Sequence, residues 1–567
     1  MNKYLFLFTI GPVQSFISQA RKTHDLYAGS KLLSNLTAIG MEQLKKSANN
    51  PQIIFPSEGI ESNPNRFIAI VEKDSDDEMK ELGKSIEISV KEHFKTLANN
   101  AFSILNKETK PSNFNNQIND FLQIYWTAIP YNNYKEDYEY IETLLGSIKN
   151  IKPFNQIDEQ GRKCSLCGER NVLFYKSGNS GRPAYIQNDA INVYEGRIGI
   201  GEGLCSVCYT KRFYDPESNE FPSTADIAVM NTLYQLSNKN NDNYVLLDNY
   251  KKMFGNDNAQ LYYEENLTEK YFKTKGLEDY LKDLNGIKDE LKKINKLAKK
   301  NNMKLSKYYA VIIFDGDSMG QWLSGEKLKN ASDLLEFHKN LSNKLGMFAK
   351  WASEYLKEPK GKSVYTGGDD FLGFVNLNHL FTIMKELRIK FNEYVDTEMS
   401  FSAGIVIAHY KTPLSEVIKW ARMMEKEAKK IDDKKDAFAI AVLKHSGEIH
   451  KSVYKWKKDE AYIIDVMRYI IEALDDENGY SNNFIKSLYK EFVRLMDVKG
   501  LCDNDLIVKT EIKRLIKRSA KTKESKNKYS DLSDKIFNLY QESNKNLLNL
   551  LSFLNIADFT SREINGG

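Results

Sequence analysis

Apolar residues recur along the N-terminal part of the chain at the spacings expected for a sheet packed against helices. Residues 3–10, KYLFLFTI, form a mostly apolar run that predicts a buried β-strand. A helical spacing of apolar residues follows from Val13 to Lys45, then a second strand at Phe67–Val71 and a long amphipathic helix at Asp77–Leu105. This rhythm of strand and helix is typical of an α+β sandwich of the ferredoxin type.

A second α/β block begins at Tyr308 and has the element order of a polymerase palm. Its strands are predicted at Tyr309–Phe314, Ser363–Thr366, Phe371–Val375, Phe401–His409 and Ala437–Leu443, and its helices at Ala331–Leu356, His379–Val395 and Pro413–Lys430. The order is βαββαβ with one further helix and strand, so the two blocks are candidates for distant structural duplicates. From Ser452 onward the pattern predicts helices throughout.

Composition and charge narrow the class of protein. With 567 residues, the chain is expected to form three or four domains of roughly 150 residues each. Hydrophobic residues make up 41% and charged residues 28%, which is ordinary for a globular protein and excludes a fully disordered chain. The net charge is only +4, so any surface that binds nucleic acid must be local.

The apolar N-terminal segment is short and runs straight into Gly11-Pro12, so we interpret it as a first strand and not as a signal peptide. No apolar run reaches the about 18 residues that a membrane span needs. The sequence therefore predicts a cytoplasmic protein without a membrane segment.

Four of the five cysteines form two CxxC pairs, Cys164 with Cys167 and Cys205 with Cys208. In a reducing cytosol such pairs favour a metal ion over disulfides. Together they offer four thiolates, which complete the tetrahedral shell of a structural zinc ion and leave no open position for catalysis. The alternative is two unrelated pairs or a redox pair, although no thioredoxin-like strand precedes either pair. The remaining Cys502 is predicted to be a buried thiol in a helix.

Three acidic residues stand at strand ends of the second block, and phosphoryl transfer needs metal ions held by carboxylates at fixed separation. Asp315 follows the apolar strand YAVIIF, and Asp369 and Asp370 lie in the turn between the next two strands. Because the first strand of a βαββ fold lies beside that hairpin, the three carboxylates can converge on Mg²⁺ or Mn²⁺. The alternative is that the Gly-Gly-Asp-Asp run is an ordinary hairpin turn, since Gly and Asp are common turn residues.

Residues around these acids have the chemistry of a nucleotide pocket. Gly367 and Gly368 permit a tight turn and the close approach of a base or ribose. The loop after Asp315 can present backbone N–H groups to a triphosphate, and Lys429 can reach the phosphates as a point charge. The loop residues predicted to bind nucleotide are Gly316, Asp317, Ser318 and Gly320.

Longer motifs carry a resemblance to a known family. The stretches FDGDSMGQWLSG, YTGGDDFL and SFSAGIVIAH, with the closing AKK helix, resemble the cyclase-type palm in the large subunit of type III CRISPR complexes, a palm related to that of GGDEF diguanylate cyclases. The stretch GPVQSFISQARKTHDLYAGSKLLS is similar to the opening palm-like domain of the Cmr branch of that family, and GEGLCSVCYTKR resembles its zinc segment. The resemblance covers residues 1–450 in three separated blocks.

This resemblance implies an activity and a set of roles. Asp315 and Asp369 are expected to be metal ligands, Asp370 a second ligand or orienting group, and the carbonyl of Gly316 a further ligand. Two ATP molecules are expected between the two palm-like domains, where a ribose hydroxyl attacks an α-phosphate and pyrophosphate leaves. The product is a cyclic oligoadenylate or a conjugate of AMP with S-adenosylmethionine, a choice that the sequence leaves open. The implied partners are the other subunits of the complex, guide RNA and target RNA.

The first palm-like domain has no paired carboxylates at its strand ends, and it resembles a non-catalytic partner that holds the second nucleotide. The candidate residues for that role are Gln14, Ser15, Gly29, Ser30 and Lys31. Helix packing and capping explain these residues equally well.

Three further sequence features have both a functional and a purely structural interpretation. His24-Asp25 invites comparison with the HD nuclease of many family members, but we interpret it as a surface or packing pair, because the further His and Asp ligands of such a site are not found; the implied family member lacks that nuclease domain. His409 is a candidate for the nucleotide pocket, with a core or hairpin role favoured. The basic run Lys513–Lys528 either contacts RNA phosphates or neighbouring subunits, or is a solvated helix and loop.

The predicted fold class is α+β: two ferredoxin-like palm domains with a zinc-binding insertion and a helical C-terminal domain. The predicted limits are 1–150 for the non-catalytic palm-like domain, 151–235 for the zinc-binding segment, 236–305 for a helical connector, 306–450 for the catalytic palm and 451–567 for the C-terminal helices. The favoured function is a target-RNA-activated, metal-dependent nucleotidyltransferase that uses ATP. The alternatives are a non-catalytic scaffold subunit, and a free-standing diguanylate cyclase, which would need neither the zinc segment nor the first palm-like domain.

Overall fold

The computed structural model describes residues 2–57, 62–151, 159–178, 181–194, 196–214, 221–254, 258–328 and 333–564. Its β-strands are β1 (Asn2–Gly11), β2 (Asn49–Phe55), β3 (Arg66–Lys73), β4 (Gln123–Pro130), β5 (Phe174–Tyr175), β6 (Ile191–Asn192), β7 (Gly203–Leu204), β8 (Tyr308–Gly316), β9 (Gly361–Thr366), β10 (Asp370–Asn376), β11 (Phe401–His409), β12 (Ala437–Leu443), β13 (Ile449–Lys455), β14 (Lys457–Lys458) and β15 (Ala461–Tyr462). Short 3-10 helices lie at Ala259–Tyr262, Glu264–Asn266, Glu278–Asp283 and Leu377–His379.

The α-helices are numbered in the same way along the chain. They are α1 (Gln14–Ser18), α2 (Thr23–Ser47), α3 (Asp76–Ser103), α4 (Phe114–Asn119), α5 (Tyr134–Asn150), α6 (Ser206–Phe213), α7 (Thr224–Lys239), α8 (Asn241–Lys252), α9 (Glu269–Lys275), α10 (Leu284–Lys300), α11 (Met319–Leu323), α12 (Leu334–Tyr355), α13 (Leu380–Tyr394), α14 (Leu414–Lys429), α15 (Ile463–Asp475), α16 (Asn483–Phe492), α17 (Asp505–Ser519), α18 (Lys523–Lys528), α19 (Leu532–Glu542) and α20 (Leu547–Ile564). Among the described helices, none is both long and apolar enough to cross a bilayer.

The chain divides into two compact units, each of which is discontinuous in sequence. The first comprises Met1–Phe221, Ser318–Trp351 and Val364–Gly368, and the second comprises Pro222–Asp317, Ala352–Ser363 and Asp369–Gly567. The domain limits inferred from the sequence follow the chain continuously, and they stay a prediction.

The first unit contains a four-stranded sheet with the ferredoxin-like order β2-β3-β1-β4. Its central strand β1 pairs antiparallel with both β3 and β4. The connection β1-α2-β2-β3-α3-β4 is the βαββαβ unit of that fold. The first predicted ferredoxin-like domain is therefore confirmed.

Both faces of this sheet are covered, which explains why residues 4–8 are apolar at every position. Side chains alternate along a strand, so Phe6 and Phe8 point to one face, where their ring centroids lie 5.9 and 4.9 Å from that of Phe67. Leu5 and Leu7 point to the other face and belong to a core shared with α5.

Residues 159–214 form a small segment that contains both CxxC pairs. Its strands are only two residues long and lie in the order β6-β5-β7. Helix α6 begins within the second CxxC pair, since Cys205 is its N-cap residue and Cys208 lies in its first turn, and it is buried along its whole length.

The larger sheet has six strands in the order β13-β12-β11-β8-β10-β9. Strands β9-β10-β8-β11 repeat the order of the first sheet, and β12 is added parallel to β11. The connection β8-α12-β9-β10-α13-β11-α14-β12 is the predicted palm order. The second ferredoxin-like domain is confirmed, while the predicted start of its first helix, at Ala331, lies outside the described residues.

Helix α14 lies close against β11 because Gly404 has no side chain. A Cβ atom at that position would collide with the carbonyl oxygen of Ala421 and the backbone nitrogen of Glu425. Only glycine permits such an approach of two backbones. This contact determines how closely α14 packs on the sheet. Helix α14 carries Lys429.

Side chains of the second unit join its helices to the palm sheet. The amide nitrogen of Asn376, at the end of β10, donates to the carbonyl oxygens of Ile227 and Ala228 in α7 at 2.8 and 3.1 Å. Asn549 of α20 exchanges two hydrogen bonds with the backbone of Val453 in β13, at 2.9 and 3.0 Å. The helices before and after the palm are thus tied to opposite parts of the same sheet.

The helix predicted from Val13 to Lys45 is interrupted. Helix α1 ends at Ser18 and α2 begins at Thr23. The carboxylate of Asp25 accepts hydrogen bonds from the backbone N–H groups of Arg21 and Lys22, both at 3.0 Å. These bonds cap the start of α2 and so favour a new helix over continuation of the first.

The prediction of helices throughout from Ser452 onward is wrong at its start. Residues Ile449–Lys455 form β13, which pairs antiparallel with β12, and two short strands follow before α15. Only Ser452 and Tyr454 of β13 are fully buried, so the strand has too few apolar residues to show alternation in the sequence. Cys502 is buried as predicted, but it lies in the loop before α17 and not in a helix.

Candidate active site

The three predicted carboxylates lie at one end of β8 and β10. In the antiparallel ladder Asp315 is directly opposite Asp370 on one side and Ser402 of β11 on the other. Opposed residues of this kind have Cα atoms about 4.5–5.5 Å apart. The N–H of Gly316 donates to the carbonyl oxygen of Asp369 at 2.9 Å. The sheet therefore brings Asp315 next to Asp369 and Asp370, from which it is far apart along the chain.

The turn before Asp369 requires glycine at one position. Gly368 has a φ of 104°, in the left-handed region where L-residues are strained. An added Cβ would also contact Leu345 at 3.5 Å. The expectation that a tight turn requires glycine is thus confirmed for Gly368. A role of Gly367 toward a nucleotide stays a prediction.

The carboxyl group of Asp370 lies close to other negative charges. Loss of solvation within the surrounding protein, followed by the negative charges of Asp369 and Asp315, raises the pKa of Asp370 to about 8, and the guanidinium of Arg422 opposes the shift. The side chain nevertheless keeps an exposed surface. Carboxylates crowded in this way are stabilised by a divalent cation, and oxygen ligands suit Mg²⁺ and Mn²⁺. The chemistry of these donors suits either ion, while among the described residues only a cluster of cysteines has its ligand atoms all within 4.8 Å of one another.

Helix α14 places a cation against the first of these acids. The ammonium group of Lys429 forms an ion pair with the carboxylate of Asp315 and a second one with Glu425 at 3.1 Å. Burial lowers the pKa of Lys429, but the bonds to Asp315 and Glu425 outweigh burial, and the pKa is raised. Lys429 therefore stays charged beside a predicted metal ligand, and its role toward phosphate stays a prediction.

Sequence reasoning did not identify Glu425 and Arg422 as site residues. Burial raises the pKa of Glu425, and the nearby Lys429 only partly offsets that shift. A signal was available, since Arg422, Glu425 and Lys429 follow one another at spacings of three and four residues, which places them on one face of a helix. In the sequence that pattern is the same as the one a solvated charged helix shows.

Asp317 lies two residues after Asp315, yet its carboxylate is turned into the protein. The residue is only 5% exposed. Its Oδ2 accepts hydrogen bonds from the hydroxyl of Ser400 at 2.8 Å and from the backbone N–H of Asp436 at 3.0 Å. Burial raises the pKa of Asp317, and the hydrogen bonds from Ser400 and from the backbone of Asp436 only partly offset that shift. Direct contact of this carboxylate with a nucleotide finds no support in this arrangement.

Two loop residues predicted to bind phosphate lie where β8 leads into α11. Ser318 has a left-handed backbone with a φ of 56°, which is uncommon for a residue other than Gly, Asn or Asp. Gly320 is exposed, and among the described residues no atom lies within 4 Å of the place its Cβ would take. Their roles toward a triphosphate stay predictions.

The four paired cysteines form one cluster. Their Sγ atoms all lie within 4.8 Å of one another, and those of Cys167 and Cys205 are 3.9 Å apart. Four sulfur ligands about 2.3 Å from zinc define a tetrahedron with edges of about 3.8 Å, so the cluster fits zinc. The backbone N–H groups of Leu166 and Cys208 donate to the Sγ atoms of Cys164 and Cys205, both at 3.4 Å. The cluster can hold a structural zinc ion.

Helix α6, which carries Cys208 of this cluster, is joined to α1 by a buried lysine. The ammonium group of Lys211 is fully buried and donates to the carbonyl oxygens of Phe16 and Gln19, both at 2.6 Å. It also lies 4.6 Å from the centroid of the Phe16 ring. A cation at the C-terminal end of a helix satisfies carbonyl groups that lack a partner within the helix.

The neighbouring Arg212 is joined to α2. It forms an ion pair with Asp25 and a second one with Glu202 at 3.1 Å. Burial raises the pKa of Asp25, but the guanidinium of Arg212 outweighs burial and lowers it. The packing role predicted for the His24-Asp25 pair is thus confirmed for Asp25.

The candidates in the first palm-like domain fall into two groups. Gln14 and Ser15 are exposed at the start of α1, and their role toward a nucleotide stays a prediction. Gly29 and Ser30 are buried in α2, and the ammonium group of Lys31 lies 5.7 Å from the centroid of an aromatic ring of the same helix. For these three residues the packing alternative fits better.

His409 lies at the other end of the palm sheet. It is opposite Tyr308 in the ladder, seven residues from the position opposite Asp315, or about 23 Å at the usual rise of a strand. It is 4% exposed and its ring stacks on that of His445 with centroids 4.5 Å apart. Burial lowers the pKa of His409 to about 4. The structure supports the core role and not the pocket.

Comparisons with known proteins agree with this geometry. The family described as Cas10/Cmr2, second palm domain, matches residues 308–439, and the family described as CRISPR-associated protein Cmr2, N-terminal, matches residues 5–99. The CRISPR system Cmr subunit Cmr2 of Pyrococcus furiosus is 24% identical over 647 aligned positions, which cover 94% of this chain and 71% of that protein. These matches show that the chain is similar to the Cmr branch of the Cas10/Cmr2 proteins in both of its palm domains. The match to the second palm domain contains all three acidic residues and Lys429.

Further relatives show how far the likeness extends. The CRISPR system single-strand-specific deoxyribonuclease Cas10/Csm1 (subtype III-A) of Streptococcus thermophilus is 24% identical over 204 residues, 35% of this chain and 26% of that protein. A type III-B Cmr-beta structure in the apo state matches with a TM-score of 0.67 and 15% identity, over 98% of this chain and 82% of that one. Cmr-beta bound to cognate target RNA matches with a TM-score of 0.65 and 16% identity, over 98% and 83%. At these identities the likeness shows the shared fold.

Proposed function

We propose that this chain is the nucleotidyltransferase subunit of a type III CRISPR effector complex and that it joins adenylyl units from ATP into a signalling nucleotide when target RNA is bound. The observation that carries the proposal is the convergence of Asp315, Asp369 and Asp370 at one end of two paired strands. Similarity to the Cmr branch supports assembly with other complex subunits, guide RNA and target RNA. One of the Cmr-beta structures with the same fold is bound to cognate target RNA.

Asp315, Asp369 and Asp370 are the residues that would hold Mg²⁺ or Mn²⁺. Such an ion, when bound, neutralises charge on the reacting phosphate and orients its oxygens. The chain itself contributes a fixed cation, because Glu425 and Asp315 hold the ammonium group of Lys429 beside the carboxylates. A preorganised positive charge stabilises the negative charge that develops on the leaving pyrophosphate.

In the proposed reaction a ribose hydroxyl oxygen forms a bond to the α-phosphorus of a second nucleotide. The bond from that phosphorus to the oxygen bridging to the β-phosphorus breaks, pyrophosphate leaves, and the hydroxyl proton passes to solvent or to a carboxylate. The acceptor is another adenylyl unit in a cyclic oligoadenylate, or S-adenosylmethionine in an AMP conjugate. In-line displacement of this kind needs positioning and charge more than covalent help.

The test is product formation by the assembled complex. The complex, with guide and complementary target RNA, is incubated with ATP and Mg²⁺, with and without S-adenosylmethionine, and products are resolved by mass spectrometry. The double substitution Asp369→Ala with Asp370→Ala is expected to abolish synthesis and to leave RNA binding unchanged, because it removes metal ligands without touching the remaining sheet.

A matched control removes two adjacent carboxylates elsewhere in the same unit. Glu278→Ala with Asp279→Ala changes two exposed acids in a 3-10 helix, and its synthesis is expected to equal that of the unaltered complex. Equal product from the Asp369/Asp370 double variant would reject the catalytic assignment and leave the non-catalytic scaffold. Consumption of GTP in preference to ATP would favour a diguanylate cyclase activity instead.

A further inference from the structure

The end of β8 carries a buried carboxylate that the proposed reaction does not use. Asp317 is 5% exposed and is bonded through its backbone as well as its side chain. Its N–H donates to the carbonyl oxygen of Ser400 at 2.8 Å, and the hydroxyl of the same serine donates back to Oδ2 at 2.8 Å. These two bonds fasten the segment just beyond Asp315 to the segment just before β11. The end of β8 is therefore fixed from both sides.

The second partner of Asp317 belongs to the turn that leads from α14 to β12. Lys435 and Asp436 both have left-handed backbones, with φ values of 55° and 46°. This conformation is uncommon for residues other than glycine, and Asp tolerates it better than Lys does. The N–H of Asp436 donates to Oδ2 of Asp317 at 3.0 Å, and Oδ1 of Asp436 accepts from Arg388, itself only 4% exposed, at 2.8 Å. The carboxylate of Asp317 thus anchors a constrained turn.

The turn and the site are linked through α14. Lys429 is the last residue of that helix, and the Lys435–Asp436 turn follows it within one short loop. Asp315 and Lys429 form an ion pair. Asp315 lies two residues before Asp317, and Lys429 lies seven residues before Asp436, which Asp317 bonds. A shift of the turn would move the end of α14, and a shift of Ser400 would move the end of β8.

We propose that Asp317 is a positioning residue, which fixes the end of β8 and the turn beyond α14 so that Asp315 and Lys429 face a common metal–triphosphate. The inference deepens the proposed function and rests on it. It replaces direct nucleotide contact, the role that its place in the loop predicts. The remaining oxygen of Asp317, Oδ1, and the hydroxyl of Ser402, which is opposite Asp315, are both buried and lack a hydrogen-bond partner within the described part of the chain.

The test compares three variants for metal binding and turnover. Asp317→Ala removes the acceptor, Asp317→Asn keeps an oxygen that can accept both bonds, and Ser400→Ala removes one donor. Mn²⁺ affinity of the isolated chain is measured by electron paramagnetic resonance, and kcat and KM for ATP are measured in the assembled complex with target RNA. We expect Asp317→Ala to weaken Mn²⁺ binding and to lower kcat at least tenfold with little change in KM, Ser400→Ala to do the same more weakly, and Asp317→Asn to restore most of both.

Two controls separate positioning from general destabilisation. Ser452→Ala removes a buried, hydrogen-bonded hydroxyl from β13 of the same sheet, and Asp558→Ala removes a buried carboxylate that accepts from Asn482 and Arg562. Both are expected to lower the melting temperature without changing Mn²⁺ affinity. If Asp317→Ala fails to fold, Ser400→Ala and Asp317→Asn decide the question with the same readouts.

The outcomes distinguish this inference from the proposed function. A rise in KM for ATP at unchanged Mn²⁺ affinity and kcat would overturn positioning in favour of nucleotide contact. If Asp317→Ala lowers the melting temperature as Ser452→Ala and Asp558→Ala do and leaves Mn²⁺ affinity unchanged, Asp317 is only a structural residue. If the unaltered complex makes no nucleotide product while the Asp317 and Ser400 variants still weaken Mn²⁺ binding, the proposed function fails and the positioning of Asp315 stands.

Discussion

Single charged residues are buried in both units, and each is accommodated by specific partners. In the first unit Arg212 is 1% exposed and contacts the carboxylates of Asp25 and Glu202. In the second, Asp317 is held by hydroxyl and backbone donors. Loss of one partner from a buried ion pair costs several kcal/mol, whereas an exposed pair contributes little. The same substitution therefore has very different effects at the two kinds of position.

Arg212→Met should lower the free energy of unfolding of the first unit by about 3–5 kcal/mol, because two buried carboxylates lose their cation. The matched control is Arg468→Met, which removes a half-exposed arginine 3.8 Å from Asp465 and should cost at most about 1 kcal/mol. Calorimetric unfolding of both variants measures the difference. Equal shifts in melting temperature would contradict the role given to the buried pair.

The crowded carboxylates make the metal-free protein sensitive to pH. The pKa of Asp370 is raised to about 8 from an ordinary value of 3.8, so the folded state keeps a proton that the unfolded state releases between these values. Stability is therefore expected to fall as pH rises through that window and to level off above it. Melting temperatures at pH 6 and pH 9 without divalent ions should differ more for the unaltered protein than for Asp370→Asn.

Added Mg²⁺ should remove most of that difference, since a bound cation favours the ionised carboxylate. The control is Asp279→Asn, an exposed acid remote from the sheet, which should leave the pH dependence unchanged. If Asp370→Asn behaves as this control does, the repulsion assigned to the three acids is absent.

At the scale of elements, the site depends on how closely one helix approaches one strand. Gly404→Ala places a methyl group against the backbone of α14 at Ala421 and Glu425. The helix must then move outward, and Lys429 moves with it. We expect synthesis to drop at least tenfold and the melting temperature to fall by several degrees, as overpacking against backbone costs about 1–3 kcal/mol.

A glycine-to-alanine substitution at a different position should raise stability and not lower it. Gly146 lies in α5, and among the described residues no atom is within 4 Å of its Cβ position. Gly146→Ala should raise helix stability by about 0.5–1 kcal/mol. Comparable losses in both variants, measured by thermal unfolding and product yield, would show that the close approach at Gly404 is not what positions α14.

The elements that carry the site could largely be predicted from the sequence. An unbroken apolar strand before Asp315 and a glycine-rich turn before Asp369 fix both ends of the constellation locally, and a βαββ order then makes the two strands neighbours. Tight CxxC spacing likewise predicts the cysteine cluster, because each pair is already a two-ligand unit.

What could not be predicted depends on contacts between distant elements. The sequence places Asp317 among loop residues that face a nucleotide, and only the fold shows that Ser400 and Asp436 turn its carboxylate inward. Glu425 looks like part of a solvated helix until Gly404 brings that helix onto the sheet. Strand β13 is hidden for the same reason, since its partner strand and not its own apolar content defines it.

For the whole molecule, different interactions stabilise the two units. Four cysteines, with the buried Lys211 beside them, organise the segment 159–214 of the first unit, whereas the second unit has a continuous six-stranded core. A metal-bound segment of this kind loses its fold with its ion. The prediction is therefore selective unfolding on removal of zinc.

Hydrogen–deuterium exchange measures that prediction directly. In Cys205→Ser, or after treatment with a zinc chelator, exchange should rise in residues 159–214 and in α1, whose carbonyls bind Lys211, and should stay unchanged in β8 and β11. Cys502→Ser is the control, because Cys502 lies outside the cluster. Uniform protection in the chelated protein would mean that the four thiols need no ion.

Strand β13 has a practical consequence for anyone who wishes to isolate the palm. Every residue of β12 is fully buried, and its outer hydrogen-bonding edge is occupied by residues Ile449 to Lys455. An open edge of an apolar strand is a template for pairing with other chains. A fragment cut at residue 450, the boundary that the sequence suggests, would bare that edge and aggregate, so an excised palm has to run at least through Lys455.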